Sequence, residues 1–148
     1  MHTPFDRPGP RSVEPGEYPA LDEALALVNR DVAATLPEER PLRLMAMPPW
    51  EDDEPEHVYV TRANGEWWGN PIWQAEDGSW GRDPLGAVAE AAQDTVSERL
   101  WQAWPVCTLH NLGMHLSSTD DGRPAWLCAG KAPDAEHVRA AVGELDGI

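Results

Sequence analysis

Basic residues are scarce in this sequence: 11 lysines and arginines stand against 26 acidic residues, and the net charge is −15. Such an acidic surface repels phosphate backbones and anionic lipid, so nucleic acid and membrane surfaces are poor partners. Long apolar runs are missing as well, and no stretch approaches the roughly 18 apolar residues of a membrane helix. The charge is compatible with plain solubility, and it also suits a face that docks on a basic protein partner.

Cysteine is equally scarce, with Cys107 and Cys128 as the two examples. The first residues, Met-His-Thr-Pro-Phe-Asp-Arg-Pro, contain no apolar run and do not resemble a secretory signal. We therefore expect a cytoplasmic location, where thiols stay reduced. In that compartment, two unbridged cysteines favour metal ligation over a structural disulfide.

Phenylalanine and tyrosine are nearly absent, with one and two residues, whereas tryptophan occurs eight times. Tryptophan must therefore supply much of the core volume, although it is also a favoured anchor of binding surfaces. We predict a place in the core for each of the eight, which are Trp50, Trp67, Trp68, Trp73, Trp80, Trp101, Trp104 and Trp126.

The distribution of prolines and periodic segments divides the chain into three parts. A chain of 148 residues corresponds to about one domain. Prolines crowd residues 1–19, which predicts a disordered, proline-rich tail there. Residues 20–104 predict an α+β domain in which two helices pack on a small antiparallel sheet. Residues 105–148 predict a zinc-ribbon-like module, a knuckle followed by a β-hairpin, that packs on this domain.

Two segments show the apolar periodicity of helices. The first is predicted from Ala20 onward by apolar residues spaced three or four apart, which are Leu21, Leu25, Val28, Val32 and Leu36. Pro37 ends this helix because proline cannot continue it. The second is predicted to begin at Asp83-Pro84, a capping residue followed by proline, and to be closed by Pro105.

Short alternating segments predict strands between the two helices. Residues 42–47 alternate between two faces, with Leu42, Leu44 and Ala46 on one of them, and residues 57–62 alternate again, with Val58 and Val60 on one face. Asn64-Gly65 then predicts a tight hairpin in which both central residues take positive φ. The returning strand is predicted over residues 66–73, interrupted where Pro71 cannot donate a hydrogen bond.

The last third of the sequence has a different character. Residues 106–110 predict a tight loop, and a strand is predicted to begin at His115. Asp120-Asp121-Gly122 predicts a turn, after which residues 125–128 return as a second strand. Apolar residues spaced three or four apart after Pro133 predict a short helix over residues 134–145.

The chemistry of the sequence is concentrated in the pattern Cys107-x2-His110-x17-Cys128-x8-His137. A gap of two residues lets one turn direct both ligands at a single ion, and the hairpin returns Cys128 beside that turn, as in zinc ribbons. Thiolate and imidazole together suit Zn²⁺, which takes four ligands in tetrahedral geometry. We predict a zinc site held by these four residues, with His115, an acid or water as alternatives for the fourth place.

Other interpretations of the same residues stay open. The cysteines are compatible with small buried apolar side chains, and the histidines with surface residues. A Cu(I) site would use Cys107, His110, Met114 and His115, although Met114 is more simply a core residue. A catalytic cysteine would need a base in contact with it and an oxyanion site, and the sequence specifies neither.

Residues 104–110 (Trp-Pro-Val-Cys-Thr-Leu-His), followed by Trp126-Leu127-Cys128, resemble a C-terminal module of small, uncharacterised proteins from GC-rich bacteria. Those proteins pair a Trp-Pro-x-Cys-x-x-His knuckle with a returning Trp-x-Cys strand. The resemblance covers about the final 45 residues and implies no activity. Proline or histidine is usual at the positions of Thr108 and Asn111, a departure that leaves the candidate ligands in place.

Three functional hypotheses follow from these features. The first is a non-enzymatic binding or adaptor protein with a structural zinc site and an acidic surface for a protein partner, because phosphate-loop and nucleophile-elbow motifs are missing. The second is an immunity or antitoxin-like protein that neutralises a basic partner, by analogy of size and acidity. The third is a metal-dependent enzyme in which an open zinc position activates water and Glu136 acts as the base. The sequence does not determine the oligomeric state.

Overall fold

The computed structural model describes residues 11–48, 56–67, 71–72, 80, 83–130 and 136–145. Strand pairing among them is antiparallel throughout, so this part of the chain has the predicted α+β fold. Neither helix in these ranges is long and apolar enough to cross a membrane. The elements in chain order are β1 (Arg11–Ser12), α1 (Pro19–Thr35), β2 (Arg43–Met47), β3 (His57–Thr61), α2 (Pro84–Leu100), β4 (Val106–Cys107), β5 (Leu112–Gly113), β6 (His115–Ser118), β7 (Pro124–Cys128) and β8 (His137–Ala141).

Helix α1 forms where the apolar periodicity predicts it. Pro19 occupies the first turn, where its missing N–H costs nothing because that donor has no partner within the helix. Leu21, Val28 and Val32 are fully or almost fully buried, so the predicted apolar stripe faces the core. The helix ends just before Leu36, in agreement with the sequence prediction.

Helix α2 also begins as predicted. The Asp83 carboxylate accepts a hydrogen bond from the backbone N–H of Gly86 at 3.0 Å, which satisfies one of the free donors of the first turn. Val88, Ala92 and Val96 are buried along its inner face. The helix packs against α1, β3 and β6, so it connects the two halves of the fold.

Strands β1, β2 and β3 form one sheet in that order, and β3 ends in a turn at the predicted position. The N–H of Gly65 donates to the carbonyl of Arg62 at 2.9 Å, and the N–H of Arg62 donates to the carbonyl of Glu66 at 2.7 Å. Gly65 takes a φ of +90°, whereas Asn64 does not enter the left-handed region. The prediction of two left-handed residues is therefore wrong, because the turn needs only the residue without a Cβ to adopt that conformation.

Within the described part of residues 66–73, where the sequence predicts a returning strand, the structure has a single β-bridge. Ile72 forms an isolated antiparallel bridge with Val58, and its N–H donates to the Val58 carbonyl at 2.7 Å. Glu66 and Trp67 are not in a strand. Residues 68–70 and 73 lie outside the described residues.

Residues 11–19, which the sequence predicts as part of a disordered tail, are ordered in the structure. Arg11–Ser12 pair with β2. The Arg11 guanidinium lies 2.5 Å from a carboxylate oxygen of Glu17 and 2.6 Å from one of Glu56. Strand pairing and these ion pairs order a segment whose proline content alone indicates disorder. Residues 1–10 lie outside the described residues.

The C-terminal third contains a two-stranded ribbon of β4 and β5 and a three-stranded sheet in the order β6–β7–β8. The predicted hairpin is formed by β6 and β7. Its turn is closed by a hydrogen bond from the Gly122 N–H to the Thr119 carbonyl at 3.0 Å. This hairpin places the C-terminal end of β7 beside β8 and close to the β4–β5 ribbon.

The prediction of a helix over residues 134–145 is wrong for the described part of that range. Residues His137–Ala141 form strand β8, which pairs along β7. Gly143 then takes a φ of +96°, which does not continue a helix. The apolar spacing in this segment is compatible with a helix, but pairing with the edge of β7 satisfies its backbone groups instead.

One hydrophobic core contains residues from both sides of the predicted domain boundary at residue 104. The Trp104 and Trp126 rings meet edge to face with centroids 5.7 Å apart. The indole N–H of Trp104 donates to the Thr35 hydroxyl at 3.0 Å. The C-terminal third is thus packed on the two helices through these aromatic side chains.

Tryptophan is divided between core and surface. Trp80, Trp104 and Trp126 are buried as predicted, and Trp67 is half-buried. Trp101 is 94% exposed, contrary to the prediction. It takes a left-handed conformation with φ of 57° at the end of α2, and the chain then turns so that Trp104 enters the core. Trp50, Trp68 and Trp73 lie outside the described residues.

The carboxylate of Asp31, fully buried within α1, holds the C-terminal third in place. Its oxygens accept hydrogen bonds from the Trp126 indole N–H at 2.9 Å, the Gly143 N–H at 2.7 Å and the Leu145 N–H at 3.0 Å. Burial raises the pKa of Asp31, and these three N–H donors act in the opposite direction. One side chain therefore connects α1, β7 and the segment after β8.

Replacing Asp31 by alanine is expected to lower the free energy of unfolding by about 3 kcal/mol or more, because three buried N–H groups lose their acceptor. Urea denaturation followed by tryptophan fluorescence measures the effect. Glu23→Gln, an exposed change on the same helix, is the control and should shift the free energy by less than about 0.5 kcal/mol. Equal stability of the two variants would contradict the anchoring role of Asp31.

Candidate metal centre

Four side chains converge in the C-terminal third. One donor atom from each of Cys107, His110, Cys128 and His137 lies within 4.8 Å of the other three. Both cysteine side chains are fully buried, and both histidines are half-buried. These are the four residues predicted from the sequence, and their donor atoms are close enough to bind one metal ion.

A tight turn brings the first pair together. Cys107 ends β4, and His110 lies in the turn that leads to β5. Asn111 takes a left-handed φ of 56°, and its N–H donates to the Cys107 carbonyl at 2.6 Å. The turn directs both side chains inward, so that Cys107 Sγ lies 3.7 Å from His110 Nδ1. The two-residue gap in the sequence thus has the predicted effect.

Strand pairing brings the second pair together. Cys128 is the last residue of β7, His137 is the first of β8, and the two are register partners. Side chains directly opposite each other in an antiparallel pair lie on the same face of the sheet. The sheet therefore presents both residues to the turn that carries Cys107 and His110. Sequence spacing alone could not show this, because it depends on β8 being a strand.

Three of the four sulfur–nitrogen distances in the cluster are nearly equal, and the first of them is the 3.7 Å between Cys107 and His110. Cys107 Sγ lies 3.7 Å from His137 Nε2, and Cys128 Sγ lies 3.4 Å from His110 Nδ1. The two imidazole rings are 5.2 Å apart between centroids and tilted by 55°. The four donors therefore surround a common point instead of lying in a row.

Backbone N–H groups also face the sulfur atoms. Burial acts to raise the pKa of Cys107, but hydrogen bonds from the His110 side chain and from the backbone N–H groups of His110 and Leu109 outweigh it and lower the pKa to about 6. For Cys128, burial raises the pKa, while the Gly130 N–H donates to Sγ at 3.4 Å and acts against this increase. Such donors stabilise thiolates, the form of cysteine that binds metals.

Gly130 and Asn111 support the site, and the sequence analysis did not single them out as supporting residues. The sequence could have indicated Gly130 by its position two residues after Cys128, where a backbone N–H can donate to the cysteine sulfur. The signal for Asn111 was its place directly after His110, because asparagine tolerates the left-handed conformation that closes a tight turn.

The alternative ligands lie elsewhere. His115 is exposed on β6 opposite Leu127, and it does not belong to the cluster of convergent donors found among the described residues. Met114, which a Cu(I) site would use, is buried in the hydrophobic core, in agreement with its interpretation as a core residue. Glu136, the candidate base of the enzyme hypothesis, is exposed just before β8.

His137→Ala is expected to weaken Co²⁺ binding by about 100-fold or more, because a ligand is lost from the shell. His115→Ala is the matched control and should change the affinity by less than about twofold, because His115 lies outside the cluster. Titration with Co²⁺, followed by the thiolate-to-cobalt absorption band, measures both. Equal effects of the two substitutions, or full affinity of His137→Ala, would contradict this ligand set.

Comparison of the chain with protein-family models, with curated proteins and with solved structures found no match in any of the three. The donor set of the candidate centre is two sulfurs of buried cysteines and two imidazole nitrogens.

Proposed function

We propose that Cys107, His110, Cys128 and His137 hold one Zn²⁺ ion as a structural centre in a non-enzymatic binding or adaptor protein. The sulfur–nitrogen distances carry this proposal. Tetrahedral zinc with bonds of about 2.3 Å to sulfur and about 2.0–2.1 Å to nitrogen places the two atom types about 3.6 Å apart. Three of the four sulfur–nitrogen distances, at 3.7, 3.7 and 3.4 Å, lie close to this value.

The type of donor favours zinc over other ions. Hard cations such as Ca²⁺ and Mg²⁺ take oxygen ligands, and the cluster contains none. Two thiolates and two imidazoles form one of the common structural zinc shells. The thioether of Met114, which a Cu(I) site would use, is part of the hydrophobic core.

A complete protein shell supports a structural role over a catalytic one. Catalytic zinc sites keep a position for water or substrate, whereas structural sites have four protein ligands. Here four side-chain donors already converge, with both sulfurs inaccessible to solvent. The ion would connect the β4–β5 turn with the β7–β8 pair and so stabilise a third of the chain that consists of short strands.

The charge and the exposed aromatic residue support a protein partner. A net charge of −15 attracts basic surfaces, and the fully exposed indole of Trp101 is a type of side chain enriched at binding hot spots. An immunity-like protein that neutralises a basic toxin would be one member of this class, and the neighbourhood of the gene tests that possibility.

Purified protein is expected to contain about one equivalent of zinc per chain by elemental analysis, and no other transition metal at comparable level. Removing the ion with a chelator should lower the melting temperature by about 10 °C or more, because binding of the ion contributes to folding. The control is Cys128→Ala, which lacks a ligand and should not respond to the chelator. Less than about half an equivalent of zinc, or a chelator effect of equal size in the control, would contradict the proposal.

A further inference from the structure

The solvent face of α2 carries three carboxylates at i, i+4 spacing, Glu90, Asp94 and Glu98. All three are exposed, and no cation pairs with them among the residues that the structure describes. Like charges at this spacing repel each other and destabilise a helix. Partial burial and the charge of Glu98 raise the pKa of Asp94. A cation bound at this face would relieve that repulsion.

A groove lies beside two of these carboxylates. It has a volume of about 280 Å³, and its lining combines apolar side chains, including Ile72, Trp80 and Ala91, with the acidic residues Glu90 and Asp94. Lysine and arginine bury their aliphatic stems on apolar surface while the charged end meets carboxylates. An indole adds attraction for a cation. The groove therefore matches a long basic side chain better than it matches a bare metal ion, which gains nothing from the apolar lining.

Trp101 follows at the C-terminal end of the same helix. Its side chain is 94% exposed, and its backbone has a φ of 57°, a conformation that is rare for large side chains and that glycine usually adopts at helix ends. Covering a large apolar side chain that is exposed to water lowers the free energy, so a partner that covers Trp101 would bind more tightly. From Glu90 to Trp101 the helix advances roughly 16 Å, a length that one peptide segment can cover.

We propose that the α2 acidic face, defined as Glu90, Asp94, Glu98 and Trp101 with the adjoining groove, docks a segment of a partner protein rich in lysine and arginine. One basic side chain of the segment enters the groove between Glu90, Asp94 and Trp80, and an apolar residue of the segment covers Trp101. The inference rests on the proposed binding function and gives that function a location and a partner chemistry. Anionic lipid headgroups and nucleic acid carry the same negative charge as this face, and the resulting repulsion excludes them from it.

The test uses a fluorescein-labelled peptide of lysine, arginine and leucine, titrated with the full-length zinc-loaded protein and followed by fluorescence anisotropy. Glu90→Gln combined with Asp94→Asn is expected to weaken binding by at least about fivefold, because both carboxylates at the groove are neutralised. Trp101→Ala is expected to weaken it by a similar factor. The same peptide with glutamate at its basic positions should not bind.

The matched control is Glu23→Gln combined with Asp120→Asn, which removes the same charge from exposed sites outside α2. It should change the affinity by less than about twofold. Equal weakening in the two double variants would overturn the proposal, because only net charge would then matter. Absence of saturable binding to the wild-type protein would overturn it as well.

The zinc content of each sample separates this inference from the proposed metal centre. Zinc-loaded protein that does not bind the peptide contradicts the docking face and leaves the metal centre intact. Protein that binds the peptide as expected, but contains no zinc as purified, supports the docking face and contradicts the structural zinc.

Discussion

The buried carboxylate of Asp31 is the interaction on which the arrangement of the C-terminal third depends. It accepts hydrogen bonds from Trp126 on β7 and from Gly143 and Leu145 just after β8. These two strands carry Cys128 and His137, half of the convergent donor set. A carboxylate in the core is costly unless its oxygens are satisfied, and here the donors come from the segments that must be positioned. The anchor in α1 and the metal centre are therefore parts of one arrangement.

A metal ion bound by the four convergent donors would add to the stability that the hydrophobic core gives the C-terminal third. Trp104 and Trp126 pack the C-terminal third on the helices, but the β4–β5 ribbon has only two residues in each strand. So short a ribbon contributes few backbone hydrogen bonds and little buried area. An ion shared by the turn after β4 and the β7–β8 pair would fix this ribbon. The acidic face of α2 lies on an element that also contacts β3 and β6, one strand in each three-stranded sheet.

Most features that depend on neighbouring residues were predictable from the sequence, although the backbone conformations of Asn64 and Trp101 were not. The pairing of β8 with β7, which joins separate segments, was not predictable either. The cap at Asp83 and the two-residue gap between Cys107 and His110 are local, and both predictions agree with the structure. Strand β8 was predicted as a helix because its apolar spacing suits either form, and pairing with β7 decides between them. Trp101 was predicted in the core because composition does not reveal the left-handed residue at which a helix ends.

X-ray absorption at the zinc edge of the purified protein tests the central claim most directly, because it reports the atoms around the ion and their distances. The account predicts a shell of two sulfur atoms at about 2.3 Å and two nitrogen atoms at about 2.0–2.1 Å, with multiple scattering from two imidazole rings. A shell of oxygen and nitrogen without sulfur, or a fifth light atom from water, would contradict a closed structural centre made of Cys107, His110, Cys128 and His137.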